Sequence, residues 1–155
     1  MMPLEAQLKL QDCNCLAVRQ AARHVTQFYD QFLAQAGLRT TQFSILARLR
    51  REGPMTINVL AAEMVMDRTT LGRNILPLER DGLIRIVPAA SDRRSKELHV
   101  TAAGDKRLQA AFKEWTEAQA RFESAVGSGR ASDLRALLRA VTATEFGARD
   151  DAVAR

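Results

Sequence analysis

The sequence predicts a mainly α protein with one small β-hairpin, and three observations carry that reading. Apolar residues recur at steps of three and four through most of the chain, the spacing of amphipathic helices. Helical spacing gives way to alternation at two short stretches, Ile84-Arg85-Ile86 and Leu98-His99-Val100, with a polar loop between them. Those stretches directly follow a pair of short helices. Helix, turn, helix and hairpin in that order make a winged helix-turn-helix. The predicted architecture is therefore mainly α with a small β-wing: a winged helix-turn-helix plus a helical dimerisation region.

Residues 1–11 show no sustained pattern and are expected to be a flexible arm. From Cys13 to about Ala36, Val18, Ala22, Val25, Tyr29 and Phe32 mark a helix, with Gly37 as its stop. Thr40 or Thr41 is expected to cap the next helix, which carries Phe43, Leu46 and Leu49 on one face and ends at Gly53-Pro54. Thr56 then caps a short segment, Ile57 to Met64, and Asp67 caps a second helix bearing Leu71, Ile75 and Leu78. Pro77 lacks a backbone donor and is expected to bend this helix late in its course. Gly82 ends it. Pro88 stops the first strand of the hairpin, and Ala89 to Lys96 form a loop with three cations and one anion. Thr101 caps a long helix whose Leu108, Ala111, Trp115, Ala118, Phe122 and Ala125 follow heptad steps. Gly127-Ser128-Gly129 breaks it, and Ser132 or Asp133 is expected to start a last helix with Leu134, Leu137, Leu138 and Val141.

These elements divide the chain into a winged unit at 37–104, a helical dimerisation region at 12–36 and 105–146, and a frayed tail at 147–155. The heptad seam alone slightly favours packing inside one chain. Three amphipathic helices outside a small winged unit need a surface to bury against, and a twofold partner supplies one. The expected dimer residues are Leu108, Trp115, Phe122, Leu134 and Leu138.

The 155 residues suit one domain, and a formal net charge of +5 favours a polyanionic partner. No apolar run approaches the ~20 residues that span a bilayer, and the N-terminus lacks the pattern of a secretion signal. The chain is read as cytoplasmic, with no membrane association. Two cysteines two positions apart make no disulfide framework. There is no G-x-S-x-G, no phosphate-binding glycine loop, no H-E-x-x-H and no metal-ligand spacing. Catalytic residues, a metal site and a cofactor are not expected.

Three linked motifs carry a resemblance. Leu78-Glu79-Arg80-Asp81-Gly82-Leu83-Ile84, then Asp92-Arg93-Arg94, then Val100-Thr101-Ala102-Ala103-Gly104 stand in order, with Asp92, Arg94, Thr101 and Gly104 in a D-x-R-x6-T-x-x-G spacing. Over roughly residues 12–145 the chain resembles the MarR family of bacterial transcription regulators. That resemblance implies a homodimer in which the first and the last two helices intertwine. It also implies a double-stranded, pseudo-palindromic DNA operator, and it places Arg94 at the minor groove with Asp92 bracing the wing.

On the second helix of the pair, Arg68 and Arg73 carry guanidinium forks that match guanine acceptors. Asn74 suits adenine, and Thr69 and Thr70 suit a phosphate or a thymine methyl; Arg93 and Lys96 are expected on phosphates. The resemblance further implies a small aromatic carboxylate as effector and release of a repressor by it. Candidate contacts are Arg19, His24, Phe28, Tyr29 and Phe43. Two other readings stand beside this one. One is thiol-based redox sensing by Cys15, which the absence of tyrosine from the second helix weakens; the other is a winged module for protein contact.

Overall fold

The computed structural model describes residues 1–148, so the expected frayed tail lies, apart from its first two residues, outside the described residues. The arm is not featureless. It forms a single turn of helix, α1 (Leu4–Gln7), and a 3-10 turn at Leu10–Asp12, with every residue exposed.

Helix α2 (Asn14–Leu33) begins where Cys13 Sγ accepts the Leu16 N–H at 3.4 Å, and it closes through a 3-10 turn at Ala34–Ala36. Leu33 is its only fully buried residue. Helix α3 (Thr40–Glu52) is capped differently from the expectation. Thr40 is its first helical residue, and Asp30 of α2 receives both the Thr40 N–H and the Thr40 hydroxyl at 2.7 Å. A cap supplied from ten positions back satisfies the same free donors as a local one, but no local spacing announces it. Phe43, Ile45, Leu46 and Leu49 of α3 are buried.

After Gly53 a two-residue strand, β1 (Met55–Thr56), intervenes that the sequence pattern does not show. Thr56 also caps α4 (Ile57–Glu63) as expected, its hydroxyl accepting the Val59 N–H at 3.3 Å. The turn to α5 (Arg68–Arg80) passes through Val65, at φ 53°. A β-branched residue in that region is strained, and such strain persists only where surrounding bonds dictate the backbone. Here the Val65 N–H donates to Ala62 O at 3.1 Å and the Met66 N–H to Ala61 O at 2.9 Å. Helix α5 continues through Pro77 to Arg80.

Strands β2 (Ile84–Pro88) and β3 (Lys96–Val100) form the hairpin, and β1 pairs on the other side of β3, giving an antiparallel sheet in the order β1-β3-β2. Ile84 faces Val100, Ile86 faces Leu98 and Met55 faces Leu98, so one face of the sheet is apolar. That face joins Leu33, Leu46, Leu60, Leu71, Ile75, Leu78 and Leu83 in one core. Among the described residues no polar or charged residue is fully buried.

Helix α6 (Ala102–Val126) enters this core at its start. Leu108, Ala111 and Trp115 pack with the winged unit, and Phe43 stacks on Trp115 at 6.0 Å. Leu108 and Trp115, expected in a dimer seam, are half-buried here and pack in part against their own chain. The heptad pattern reports burial without saying against which chain. The first compact unit runs from Met1 to Ala118.

The second unit begins at Gln119 and contains the end of α6 and helix α7 (Ser128–Ala143). The break between these helices falls on Gly127 alone, at φ 98°, and α7 starts four residues before the expected Ser132. The Ala131 N–H donates to Gly127 O at 2.8 Å, closing a first turn in which Ser128 and Gly129 are helical. Glu123 and Arg135 pair within this unit at 3.3 Å. No helix among the described residues is long and apolar enough to cross a membrane.

The hairpin, helix α5 (the second helix of the helix-turn-helix, here termed the recognition helix) and α6 meet at a point of very close approach. Gly82 holds φ 71° between α5 and β2. Its carbonyl accepts the Thr101 hydroxyl at 2.6 Å, and the Leu83 carbonyl accepts the Thr101 N–H at 3.0 Å. The same hydroxyl caps α6 by accepting the Gly104 N–H at 3.1 Å. A Cβ on Gly104 would overlap the Leu83 carbonyl and lie 2.8 Å from Val100 Cγ1. Backbone cannot give way as a side-chain tip can. Gly104→Ala is therefore expected to destabilise the fold by about 1–3 kcal/mol, the range for overpacking. Thermal unfolding at fixed protein concentration measures it, and an unchanged midpoint contradicts the packing described.

Candidate nucleic-acid interface

Burial of Leu71, Ile75 and Leu78 orients α5 and turns Arg68, Thr69, Thr70 and Arg73 outward, all four exposed. Asp67 anchors the helix start. Its Oδ1 accepts the Thr70 N–H at 2.7 Å and its Oδ2 the Thr70 hydroxyl at 2.8 Å. Thr70 is thereby engaged in the cap, which leaves Thr69 as the free hydroxyl of the expected pair. Asn74 is half-buried, and its amide donates to Thr70 O at 2.9 Å. Of the residues expected to meet bases, Arg68, Thr69 and Arg73 stand ready, while Asn74 must leave an intrahelical bond to form a bidentate pair.

The wing tip is braced by its aspartate, as the resemblance implied. Asp92 Oδ1 accepts the Arg94 N–H at 3.0 Å, Asp92 Oδ2 accepts the Ser95 hydroxyl at 3.4 Å, and the Ser95 N–H returns to Asp92 O at 3.0 Å. Ala89 is buried beneath the tip and donates its N–H to Ser95 O at 2.9 Å. The loop backbone is thus held while Arg93 and Arg94 remain exposed. Lys96 is not in the loop; it opens β3, opposite Pro88.

Charge pairing distinguishes the cations of this surface from the arginines of α3 and of the end of α5. Arg48, Arg50, Arg51 and Arg80 each lie within 3.4 Å of a carboxylate, on Glu63, Asp105, Glu52 and Asp81. Arg68, Arg73, Arg93, Arg94 and Lys96 pair with none among the described residues. Unneutralised cations on one helix face and one loop suit a ligand that presents many anionic groups. On the outer face of the sheet, Glu97 and His99 lie 2.7 Å apart.

The residues expected to hold an effector are not brought together. Arg19 and His24 are exposed on the part of α2 that stands off the core. Phe28 packs edge-on against Tyr29 at 5.6 Å and Phe32 at 5.2 Å. Phe43 lines a cavity of about 380 Å³, with Ala47, Arg50, Arg51, Leu108, Gln109 and Phe112. It lies between α3 and α6. Sequence reasoning missed Phe112, which falls off the heptad seam and stacks on Trp115 at 5.7 Å. Cys13 and Cys15 are free and exposed at the start of α2. No cluster of three His, Cys, Asp or Glu placed to hold a metal occurs among the described residues.

Asp67 supplies a test of the helix cap. Above all the Thr70 N–H, and then the Thr70 hydroxyl, stabilise the ionised carboxylate and hold its pKa below the ordinary 3.8. A carboxyl depressed on folding stabilises the native state above its unfolded pKa, and that contribution is lost as pH falls through the folded value. The Asp67 carboxyl resonance should titrate below 3.8, with cap loss at α5 following it in amide exchange. Titration at or above 3.8 contradicts the cap.

Comparison with known proteins agrees with this geometry. The model of the MarR family matches residues 38–96, the segment from α3 to the end of the wing tip. PecS of Dickeya dadantii, an HTH-type transcriptional regulator, is 30% identical over 112 residues, which cover 70% of this chain and 68% of that protein. Uncharacterized HTH-type transcriptional regulators of Bacillus cereus are 28% identical over 96 residues, and the match spans 63% of their length. The M. tuberculosis transcriptional regulator MosR, solved in complex with DNA, is 39% identical and superposes with a TM-score of 0.73 over 85% of this chain and 98% of that one. All of these are regulators of transcription and none is an enzyme. The chain belongs to the MarR family of DNA-binding transcriptional regulators.

Proposed function

We propose that this protein is a homodimeric repressor that binds a pseudo-palindromic operator and is released from it by a small aromatic acid. The unpaired cations of α5 and the wing carry the DNA half of this reading. Arg68, Arg73 and Thr69 meet base edges in the major groove. Asn74 joins them once its bond to Thr70 is given up. Thr70 holds the helix start through Asp67, and Arg93 and Lys96 sit on phosphates. Arg94 enters the minor groove, whose narrow stretches concentrate negative potential. The exposed apolar side chains of α7, Leu134, Leu137, Leu138 and Val141, and Val18 on α2 support the dimer, since each is left exposed among the described residues. Phe122 is assigned to the same interface. Two recognition helices in such a dimer must lie about 34–36 Å apart to enter successive major grooves.

Arg94→Ala is expected to weaken operator binding by about 1–3 kcal/mol while circular dichroism stays unchanged. Wild-type protein should bind as two chains per duplex. Titration of the upstream promoter fragment at fixed moderate salt checks both. Unaltered affinity of the variant removes Arg94 from the interface, and loss of all DNA binding by wild type favours the protein-contact reading of the winged unit.

The cavity between α3 and α6 supports the effector half. Its volume suits a small ligand. Phe43, Leu108 and Phe112 offer an aromatic ring apolar contact, and a ligand carboxylate would share Arg50 and Arg51 with Asp105 and Glu52. An effector there favours one spacing of the recognition helices, with coupling of about 1–3 kcal/mol, or roughly 5–150-fold in DNA affinity. Arg19 and His24 join that site only through the partner's surface or a shift of α2. A second input rests on Cys13 and Cys15, free and exposed at the start of α2. Operator binding titrated with benzoate, hydroxybenzoates, hydrogen peroxide and an organic peroxide separates the two. Release by aromatic acids, weakened in Phe112→Ala, is the expected result. Release by organic peroxide alone, abolished in Cys15→Ser, transfers the input to the thiols.

A further inference from the structure

Helix α5 carries one exposed residue that neither the core nor the polar contacts explain. Leu76 is 64% exposed. It stands off the buried stripe of Leu71, Ile75 and Leu78, and three and seven positions after Arg73 and Thr69, which places all three on one outward face. It is the only large apolar side chain exposed on this helix. A lone leucine on a protein surface is ordinary, but this one stands on the face that the proposed function turns toward base edges. On that face Thr70 is committed to Asp67 and Asn74 to the Thr70 carbonyl. With Arg68 at the helix start, Thr69, Arg73 and Leu76 are the groups on it that carry no such bond. A leucine has no hydrogen bond to offer, and the major groove offers apolar surface at one point only, the thymine C5-methyl.

We propose that Leu76 is a specificity residue that reads a thymine methyl beside the base pair contacted by Arg73. This rests on the DNA-binding reading above. Three helical residues advance the side chain by about 4.5 Å, against about 3.4 Å per base pair. The thymine therefore lies one or two base pairs from the guanine that Arg73 contacts, once in each half-site. The polar end of the helix selects guanine and the leucine selects thymine over cytosine and over the unmethylated pyrimidine edge.

The test uses uracil, which pairs as thymine does and lacks only the methyl. An operator is first selected by the wild-type protein from a pool of random duplexes, and its Arg73-contacted guanine is located by single 7-deazaguanine substitutions. Thymines are then replaced by uracil one at a time, and dissociation constants are measured at fixed salt for wild type and Leu76→Ala. One uracil per half-site, one or two base pairs from that guanine, should weaken wild type roughly fourfold, the loss of one buried methyl. Leu76→Ala should bind the thymine and uracil duplexes equally, with the affinity wild type shows for uracil. A wild type indifferent to every uracil, or a variant that keeps the full uracil penalty, overturns the proposal. A pool that yields no enriched sequence overturns the DNA-binding reading itself, which separates the two failures. Leu76 is exposed, so the variant keeps its core, and its unfolding midpoint verifies this.

Discussion

The Thr101 side chain and the bare Cα of Gly104 hold three elements of this molecule in one place. The hydroxyl gives its proton to the Gly82 carbonyl and takes one from the Gly104 amide, while the Thr101 N–H goes to Leu83. The end of the recognition helix, the end of the wing and the start of the long helix are thereby locked by backbone-directed bonds. Such bonds have little play, and the Leu83 carbonyl lies where any side chain on residue 104 would stand. Wing and recognition helix are thereby fixed to the first turn of α6.

That rigidity gives meaning to the distribution of charge. Arginines on α3 and at the end of α5 are neutralised by neighbouring carboxylates. Those on the outward face of α5 and on the wing tip are left without such neighbours, and their backbones are held by Asp67 and Asp92 through the same kind of bond, a carboxylate accepting an N–H two or three residues ahead. Two aspartates thus orient the cations without neutralising them, since each spends its oxygens on amides and hydroxyls. Held cations lose less freedom on meeting a fixed array of phosphates than free ones do.

The cavity and the lock share an element. Asp105 directly follows Gly104, and its carboxylate meets Arg50 at 2.9 Å, while Arg50 lines the cavity with Phe43 and Phe112. The Asp105 N–H also closes the first turn of α6 on the Thr101 carbonyl. A ligand between α3 and α6 would therefore press on the very turn that carries the wing. This contiguity gives the effector reading a physical route that does not depend on Arg19 or His24.

Local chemistry made much of this legible in the sequence. Thr56, Asp67 and Thr101 cap where their spacing predicted, because an N-cap bond spans three residues and involves nothing else. The hairpin and the buried stripe of α5 were readable for the same reason, periodicity being a property of the segment itself. What the sequence left open is what lies opposite each face. Leu108 and Trp115 obey a heptad whether their partner is a second chain or Phe43, and only the fold places Phe43 there. The Asp30 cap on Thr40, the pairing of β1 with β3 and the cavity beside Phe112 likewise join residues far apart in the chain. By itself the sequence determined the family, most of the elements and the caps at Thr56, Asp67 and Thr101, since those depend on short-range bonds and spacing. The tertiary structure decided what lies opposite each face within the chain, because that depends on contacts that no local pattern encodes.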